Sequence, residues 1–240
     1  MSNVEQRARM HAALGEPVRM AIVDHLALGD TSPGELGREF ELATNLLAHH
    51  LKVLQEAGLI RRVRSEGDRR RSYVQLVLDD PLVTALTAPF RPSVNGLKGA
   101  AVNGLKDGRV VFVCTRNSAR SQLAAAAWAR ASTIPGTSAG THPAGRVHPR
   151  AIRVGRRHGL NLGTGRTADV RDVTKPGDLL VAVCDNAHEE LAPEQPRLHW
   201  AVPDPVRVDT DQAFETAYEQ ITQRVERLAH AFRDDAGATR

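Results

Sequence analysis

Cys114 and Arg120 are separated by five residues in the segment CTRNSARS, with Arg109-Val-Val-Phe-Val ahead of it and QLAAAAWARA behind it. The apolar run reads as a buried strand and the alanine-rich run as a helix, so the segment is strand, loop, helix. A short loop before a helix N-terminus points successive backbone N–H groups inward and forms a cradle for an anion. The same positive field favours the thiolate form of a cysteine, and an arginine fork holds a tetrahedral oxyanion bidentately. Nucleophile and clamp therefore share one loop. Thr115, Arg116, Asn117, Ser118, Ala119, Arg120 and Ser121 are the expected oxyanion-binding residues, with Asn117 bracing the loop and the Ser121 hydroxyl donating to the sulfur.

Two further residues have chemistry to offer. Asp204 lies between Pro203 and Pro205, which stiffen its turn, and suits a general acid; Asp185 is its rival. Cys184 ends the apolar strand LLVAVC, where a free cysteine is either a small buried hydrophobe or a second thiol.

At these residues the chain resembles the low-molecular-weight tyrosine phosphatase family, and within it the arsenate reductase branch, from about residue 109 to 233. SAGTHPAG at 138, RHGLNLG at 157, LLVAVCDNAHEEL at 179 and HWAVPDPV at 199 come in that family's order. The resemblance implies an α/β domain with a four-stranded parallel sheet flanked by helices, ending in a helix from Asp211 to Phe232. Gln122, where the phosphatases usually carry proline, His199-Trp200 before the acidic turn, and the lack of a tyrosine after Asp204-Pro205 all favour the reductase branch.

In that reading Cys114 attacks arsenate, Arg120 clamps it and Asp204 protonates the departing oxygen. Cys184 aligns with the family's resolving thiol. The family's third cysteine would fall at Leu191 and is absent, so an external thiol, either thioredoxin or a low-molecular-weight thiol, must attack directly. Arg116, where a glycine is usual, is a second departure. Phosphate has the shape and charge of arsenate, so a phosphatase tethered to a DNA-binding domain and a non-catalytic oxyanion sensor stay open as alternatives.

The first eighty residues carry a different pattern. Pro17 opens a helix running through Ala27, and Ser32-Pro33-Gly34-Glu35 has capping-box spacing. From Thr44 to Gly58, Leu47, Leu51 and Leu54 make an apolar stripe, with Thr44, Asn45, His49 and Lys52 away from it. Ile60 to Arg64 and Ser72 to Leu78 read as two strands around a turn. This is an α+β winged helix-turn-helix, and over residues 11 to 78 it resembles the ArsR-type repressors. Thr44, Asn45, His49 and Lys52 are the expected groove contacts, and Arg62, Arg64, Arg69, Arg70 and Arg71 the expected phosphate contacts in the wing. His50, beside the leucine stripe, reads better as a packed residue. Domains of this kind usually pair on two-fold operators, so a homodimer on operator DNA is expected by analogy.

The 240 residues divide as a winged helix-turn-helix at 1–80, a linker at 81–107, where VNGLK occurs at 94 and again at 102, and the phosphatase-like domain at 108–236. Two cysteines are too few for a disulfide scaffold or a four-cysteine zinc site, and the ten histidines show no ligand spacing. No bound metal or cofactor is expected. The absence of a long apolar run or an export-type start makes a cytoplasmic protein without membrane contact the expectation, and the net charge of +4 permits anionic partners.

Overall fold

The computed structural model describes residues 3–87, 108–162 and 166–237. The described residues form two compact units, one with five helices and a hairpin, the other with four strands and six helices.

In the first unit, α1 (Asn3–Leu14) buries Met10, Ala13 and Leu14, and α2 (Pro17–Leu26) buries Ile22, Val23 and Leu26. The Glu16 carboxylate caps α2 by accepting from the N–H groups of Val18 at 3.1 Å and Arg19 at 2.8 Å. The capping box of α3 (Pro33–Glu39) is formed in both directions between Ser32 and Glu35. Next, α4 (Thr44–Glu56) turns Leu47, Leu51 and Leu54 into the core, and His50 with them; Gly58 ends it at φ 78°, where a Cβ would be strained. His50 is thus packed, with Nδ1 3.5 Å from the Glu16 carboxylate.

Antiparallel strands β1 (Ile60–Arg64) and β2 (Ser72–Leu76) form the wing, and Thr31 bridges to Val74 beside them. Pro81–Thr87, expected to lie in the linker, is instead a helix, α5, with Val83 buried in this unit's core. Proline at a first turn followed by Leu82, Val83 and Leu86 carries enough apolar surface to dock it. The rest of the expected linker, 88–107, lies outside the described residues.

The second unit is a parallel sheet in the order β4-β3-β5-β6, made of β3 (Val110–Cys114), β4 (Gly136–Gly140), β5 (Leu179–Ala182) and β6 (Arg197–His199). Strand β3 is wholly buried, as its unbroken apolar run requires. Helix α6 (Arg120–Ala131) packs on α7 (Pro149–Arg157) and on the long α11 (Asp211–Gly237). Phe112 lies between Trp128 and Trp200 at centroid distances of 6.0 and 5.7 Å. Helix α8 (Val170–Val173) follows α7 in sequence, and α9 (Asp185–Glu190) and α10 (Pro205–Val208) start just past β5 and β6. Cys114 ends β3, and Cys184 and Asp204 follow the carboxyl ends of β5 and β6, the edge where open α/β sheets place their ligand crevice.

Ser32→Ala removes one half of the capping box while leaving the core untouched, and should lower the stability of the helical unit by about 1 kcal/mol. Urea unfolding of the full chain, followed by far-UV circular dichroism, measures this against Leu54→Ala, which empties a fully buried site and should cost about 2–5 kcal/mol.

Candidate functional site

The loop from Cys114 to Ser121 is held from outside by its own carbonyls. Cys114 O accepts from Thr141 N at 3.2 Å, Thr115 O from His142 N at 2.8 Å, Arg116 O from Ala144 N at 2.9 Å and Ser118 O from His148 N at 2.8 Å. A trans peptide sets its C=O and the following N–H on opposite sides. Anchoring these four carbonyls on the 141–148 wall therefore turns the N–H groups of Thr115, Arg116, Asn117 and Ala119 to the other side, toward the interior of the loop.

Two positions make that curvature possible. Asn117 is left-handed at φ 47° and wholly buried. A Cβ on Gly140 would come within 2.8 Å of Thr115 O and 3.0 Å of Asn117 N, so the wall can approach only at a glycine.

Asn117 braces the loop as the sequence suggested, through more partners than the sequence revealed. Its Oδ1 accepts from Ala168 N at 2.9 Å and from Gln122 Nε2 at 3.1 Å, and its Nδ2 donates to Ser121 Oγ at 2.9 Å. The Ala168 N–H is only a donor, which fixes the amide's orientation. Because Ser121 Oγ already accepts from Asn117, its own proton is free to point at Cys114 Sγ, 3.1 Å away. Gln122 also donates to Arg166 O at 3.0 Å, tying the start of α6 to the same network. Gln122 is thus also what steadies Asn117.

Arg120 is buried, and its Nη1 donates to Val202 O at 2.8 Å while Nη2 lies 3.3 Å from Asp204 Oδ2. Burial pulls the guanidinium's pKa down, but the neighbouring Cys184, Asp204 and Cys114 outweigh it and hold the group above its ordinary value. Asp204 caps α10 through Val206 N at 3.2 Å, which keeps its second oxygen beside Arg120. Cys114, Ser118, Arg120 and Asp204 line one cavity of about 580 Å³, whose far wall is Arg146 to Arg150, together with Arg153. No Phe, Tyr or Trp is among the described residues that line it.

Cys184 sits beside this cavity, not in its wall. Its Sγ is 3.7 Å from Thr115 Oγ1 and accepts from Ala187 N at 3.5 Å, so the thiol caps α9. Burial pushes its pKa up, with Arg120 opposing and Cys114 adding to the rise. Asp185, the rival acid, is buried and hydrogen-bonded to His199 Nε2 at 2.9 Å; it does not line the cavity.

On the first unit, Thr44, Asn45, His49 and Lys52 are all exposed on α4, and Leu46 is 46% exposed among them. Arg62 and Arg64 are exposed on β1, and Arg69, Arg70 and Arg71 on the approach to β2. Arg61, in the same basic run, is committed elsewhere, to Asp79 at 2.9 Å and Gln75 at 3.2 Å. Among the described residues no group of three or more His, Cys, Asp or Glu side chains converges to hold a metal ion, and no helix is long and apolar enough to cross a membrane.

Ser121→Ala removes the hydroxyl directed at Cys114 and should slow alkylation of that sulfur by iodoacetamide about tenfold at neutral pH. Asn117→Ala loses both the bracing bonds and the left-handed tolerance, and should weaken phosphate binding, read by calorimetry, about tenfold or more.

Residues 109–237 match the family of low molecular weight phosphotyrosine protein phosphatases, and residues 14–63 match a helix-turn-helix domain. The chain is 31% identical over 129 residues to an arsenate reductase of Brevibacillus brevis and 30% identical over 128 residues to arsenate reductase 1 of Bacillus cereus. In each case half of this chain matches 92% of the relative, so the relatives have no counterpart to the first unit in the matched region. A crystal structure of an arsenate reductase from Archaeoglobus fulgidus is 28% identical with a TM-score of 0.45, covering 51% of this chain and 99% of that one. With its cysteine loop, parallel sheet and closing helix, the chain belongs through residues 109–237 to the low molecular weight phosphotyrosine protein phosphatase family, joined to a helix-turn-helix domain.

Proposed function

We propose that this protein is a DNA-binding transcriptional regulator fused to a thiol-dependent arsenate reductase. The observation that carries the reading is the set of four outward-anchored carbonyls, which aims the loop's N–H groups around Cys114 with Arg120 alongside. Such a cradle suits a tetrahedral dianion.

The reaction begins with Cys114 as thiolate, steadied by the Ser121 hydroxyl, attacking arsenic while the loop amides and Arg120 hold the oxygens. Asp204 gives a proton to the departing oxygen, which leaves as water, and a sulfur–arsenic bond remains. A second thiolate then attacks Cys114 sulfur. A sulfur–sulfur bond forms, the sulfur–arsenic bond breaks, and its electron pair stays on arsenic, converting arsenic(V) to arsenic(III). Arsenite leaves, and a further thiol returns Cys114 to the reduced state.

Three features favour reduction over aryl phosphate hydrolysis. The named relatives at 30–31% identity are arsenate reductases, no Phe, Tyr or Trp is among the described residues that line the cavity to stack on a phenol, and a second thiol, Cys184, lies within reach of Thr115. Cys184 supports the resolving role by position, whereas its burial and raised pKa favour an outside thiol for that step. The exposed face of α4 and the wing arginines suit operator DNA, with a homodimer on a two-fold site.

Cys114→Ser should abolish arsenite formation while leaving operator binding intact, read by arsenite release and by fluorescence anisotropy. Wild-type protein given an aryl phosphate without reductant should release phenol far more slowly than it forms arsenite with a thiol present; the reverse ranking would make it a phosphatase. Ligand-dependent DNA affinity with no product in either assay would make it a sensor. Cys184→Ser should still turn over with a small thiol if the outside thiol attacks the adduct, and should stop after one half-reaction if Cys184 resolves it.

A further inference from the structure

The cavity holds more positive charge than one oxyanion needs. Five arginines line it, Arg116, Arg120, Arg146, Arg150 and Arg153, against Asp204 and Asp209. Three of the five are already answered. Arg120 faces Asp204 at 3.3 Å, Arg150 pairs with Asp209 at 2.8 Å and Asp211 at 2.5 Å, and Arg153 lies 3.4 Å from Asp211. His148 is likewise placed, stacked on Phe214 with Nε2 3.6 Å from Asp209. Arg116 and Arg146 are different: both are exposed, and among the described residues neither has an ion pair or a side-chain hydrogen bond.

The two arginines come from the two layers that make the site. Arg116 belongs to the cradle loop, and Arg146 to the 141–148 wall on which that loop's carbonyls are anchored. They are tied to each other through the Arg116 O bond from Ala144 N, two residues before Arg146. Unpaired guanidiniums beside an anion cradle repel one another and the buried Arg120, so keeping both there without counter-charge has an electrostatic cost that an anionic ligand removes. At about 580 Å³ the cavity is in the size range of sites that hold a small organic molecule, well beyond the needs of a tetrahedral ion.

We infer that Arg116 and Arg146 form a second anion subsite that receives a carboxylate of the thiol donor, so that the donor is a small acidic thiol. This rests on the reductase reading above. The subsite holds the donor by its carboxylate while its sulfur attacks Cys114. A mixed disulfide between donor and Cys114 forms, the sulfur–arsenic electron pair stays on arsenic, and arsenite departs. A second donor molecule attacks the mixed disulfide and frees Cys114 as thiol with a symmetrical disulfide as product. Arsenate and two thiols thus give arsenite, one disulfide and one water. Two bare arginines inside a concavity favour such a donor over a protein thiol, which would have to bring its disulfide-reducing loop into the same space.

The test measures arsenite formation by the full-length protein with mercaptosuccinate (two carboxylates), 2-mercaptoethanol (none) and cysteamine (an ammonium). The reading is how the ratio of kcat/KM for mercaptosuccinate to that for 2-mercaptoethanol changes on mutation, which cancels the intrinsic reactivity of each thiol. The ratio should fall about fivefold in Arg146→Gln and further in Arg116→Gln/Arg146→Gln, with the change in KM for mercaptosuccinate. Cysteamine should be the poorest donor of the wild type and gain on the others in the variants. Arg146→Gln alone keeps the test valid if replacing Arg116 disturbs the loop. An unchanged ratio in both variants overturns the subsite and leaves the reductase reading standing, as does activity with thioredoxin while all three small thiols are inert. Failure of every thiol, thioredoxin included, overturns the reductase reading and the subsite with it.

Discussion

Everything in the candidate site depends on where a few peptide carbonyls point. A loop between a parallel strand and a helix can satisfy its carbonyls inward or outward, and only one choice leaves the amides available to an anion. Here the choice is made by a neighbouring stretch of chain, residues 141–148, whose N–H groups take the loop's carbonyls one after another. That wall follows directly from β4, the sheet neighbour of β3, so pairing of Cys114 with Gly140 in register sets both the loop and its outer support. The absence of a side chain at Gly140 and the left-handed backbone at Asn117 let the two layers close to hydrogen-bonding distance.

A buried guanidinium is the second constraint. Arg120 has lost most of its water, and its charge is tolerated because the Asp204 carboxylate lies 3.3 Å from it and the Val202 carbonyl accepts from it. Of its five N–H donors, the structure gives Nη1 to the Val202 carbonyl and brings Nη2 to Asp204. Both partners come from the segment after β6, so that segment aims the arginine. Asp204 is in turn steadied as the cap of α10. Asp204 and Arg120 are therefore positioned as one unit.

The sequence disclosed the parts with local signatures and hid those that depend on distant partners. The strand, loop and helix around Cys114 were legible because an apolar run, a cysteine-to-arginine spacing and an alanine-rich stretch each act over a few residues. The capping box at Ser32 and the leucine stripe of α4 were legible for the same reason, and the parallel sheet followed from the family resemblance. Helix α1 is not legible in the sequence because NVEQRARMHAAL has a weak apolar face, buried only at its C-terminal end by tertiary packing. Helix α5 reads as linker because its seven residues begin at Pro81 and are soon followed by Pro89 and Pro92, and its stability comes from docking Val83. The roles of the 141–148 wall, of Ala168 and of Gln122 involve contacts across five to fifty-one residues, which no local pattern records. Asp185 reads as an acid because it adjoins a cysteine; its burial and its bond to His199, neither visible in local sequence, give it a partner away from the cavity lining.

Cys184 shows how one atom can serve two demands that pull apart. As a buried cap it accepts the Ala187 N–H and helps start α9, a role in which a neutral thiol suffices. As a resolving nucleophile it must become a thiolate, leave that N–H and move against Cys114 sulfur, all from a site where burial favours the neutral form. In a chain with a third cysteine the product disulfide could be handed onward, giving the movement a thermodynamic outlet. Leu191 offers none. In the proposed reaction, the balance of these terms therefore favours a second half-reaction in the open cavity, with a reductant from solvent, over one in the interior of the domain.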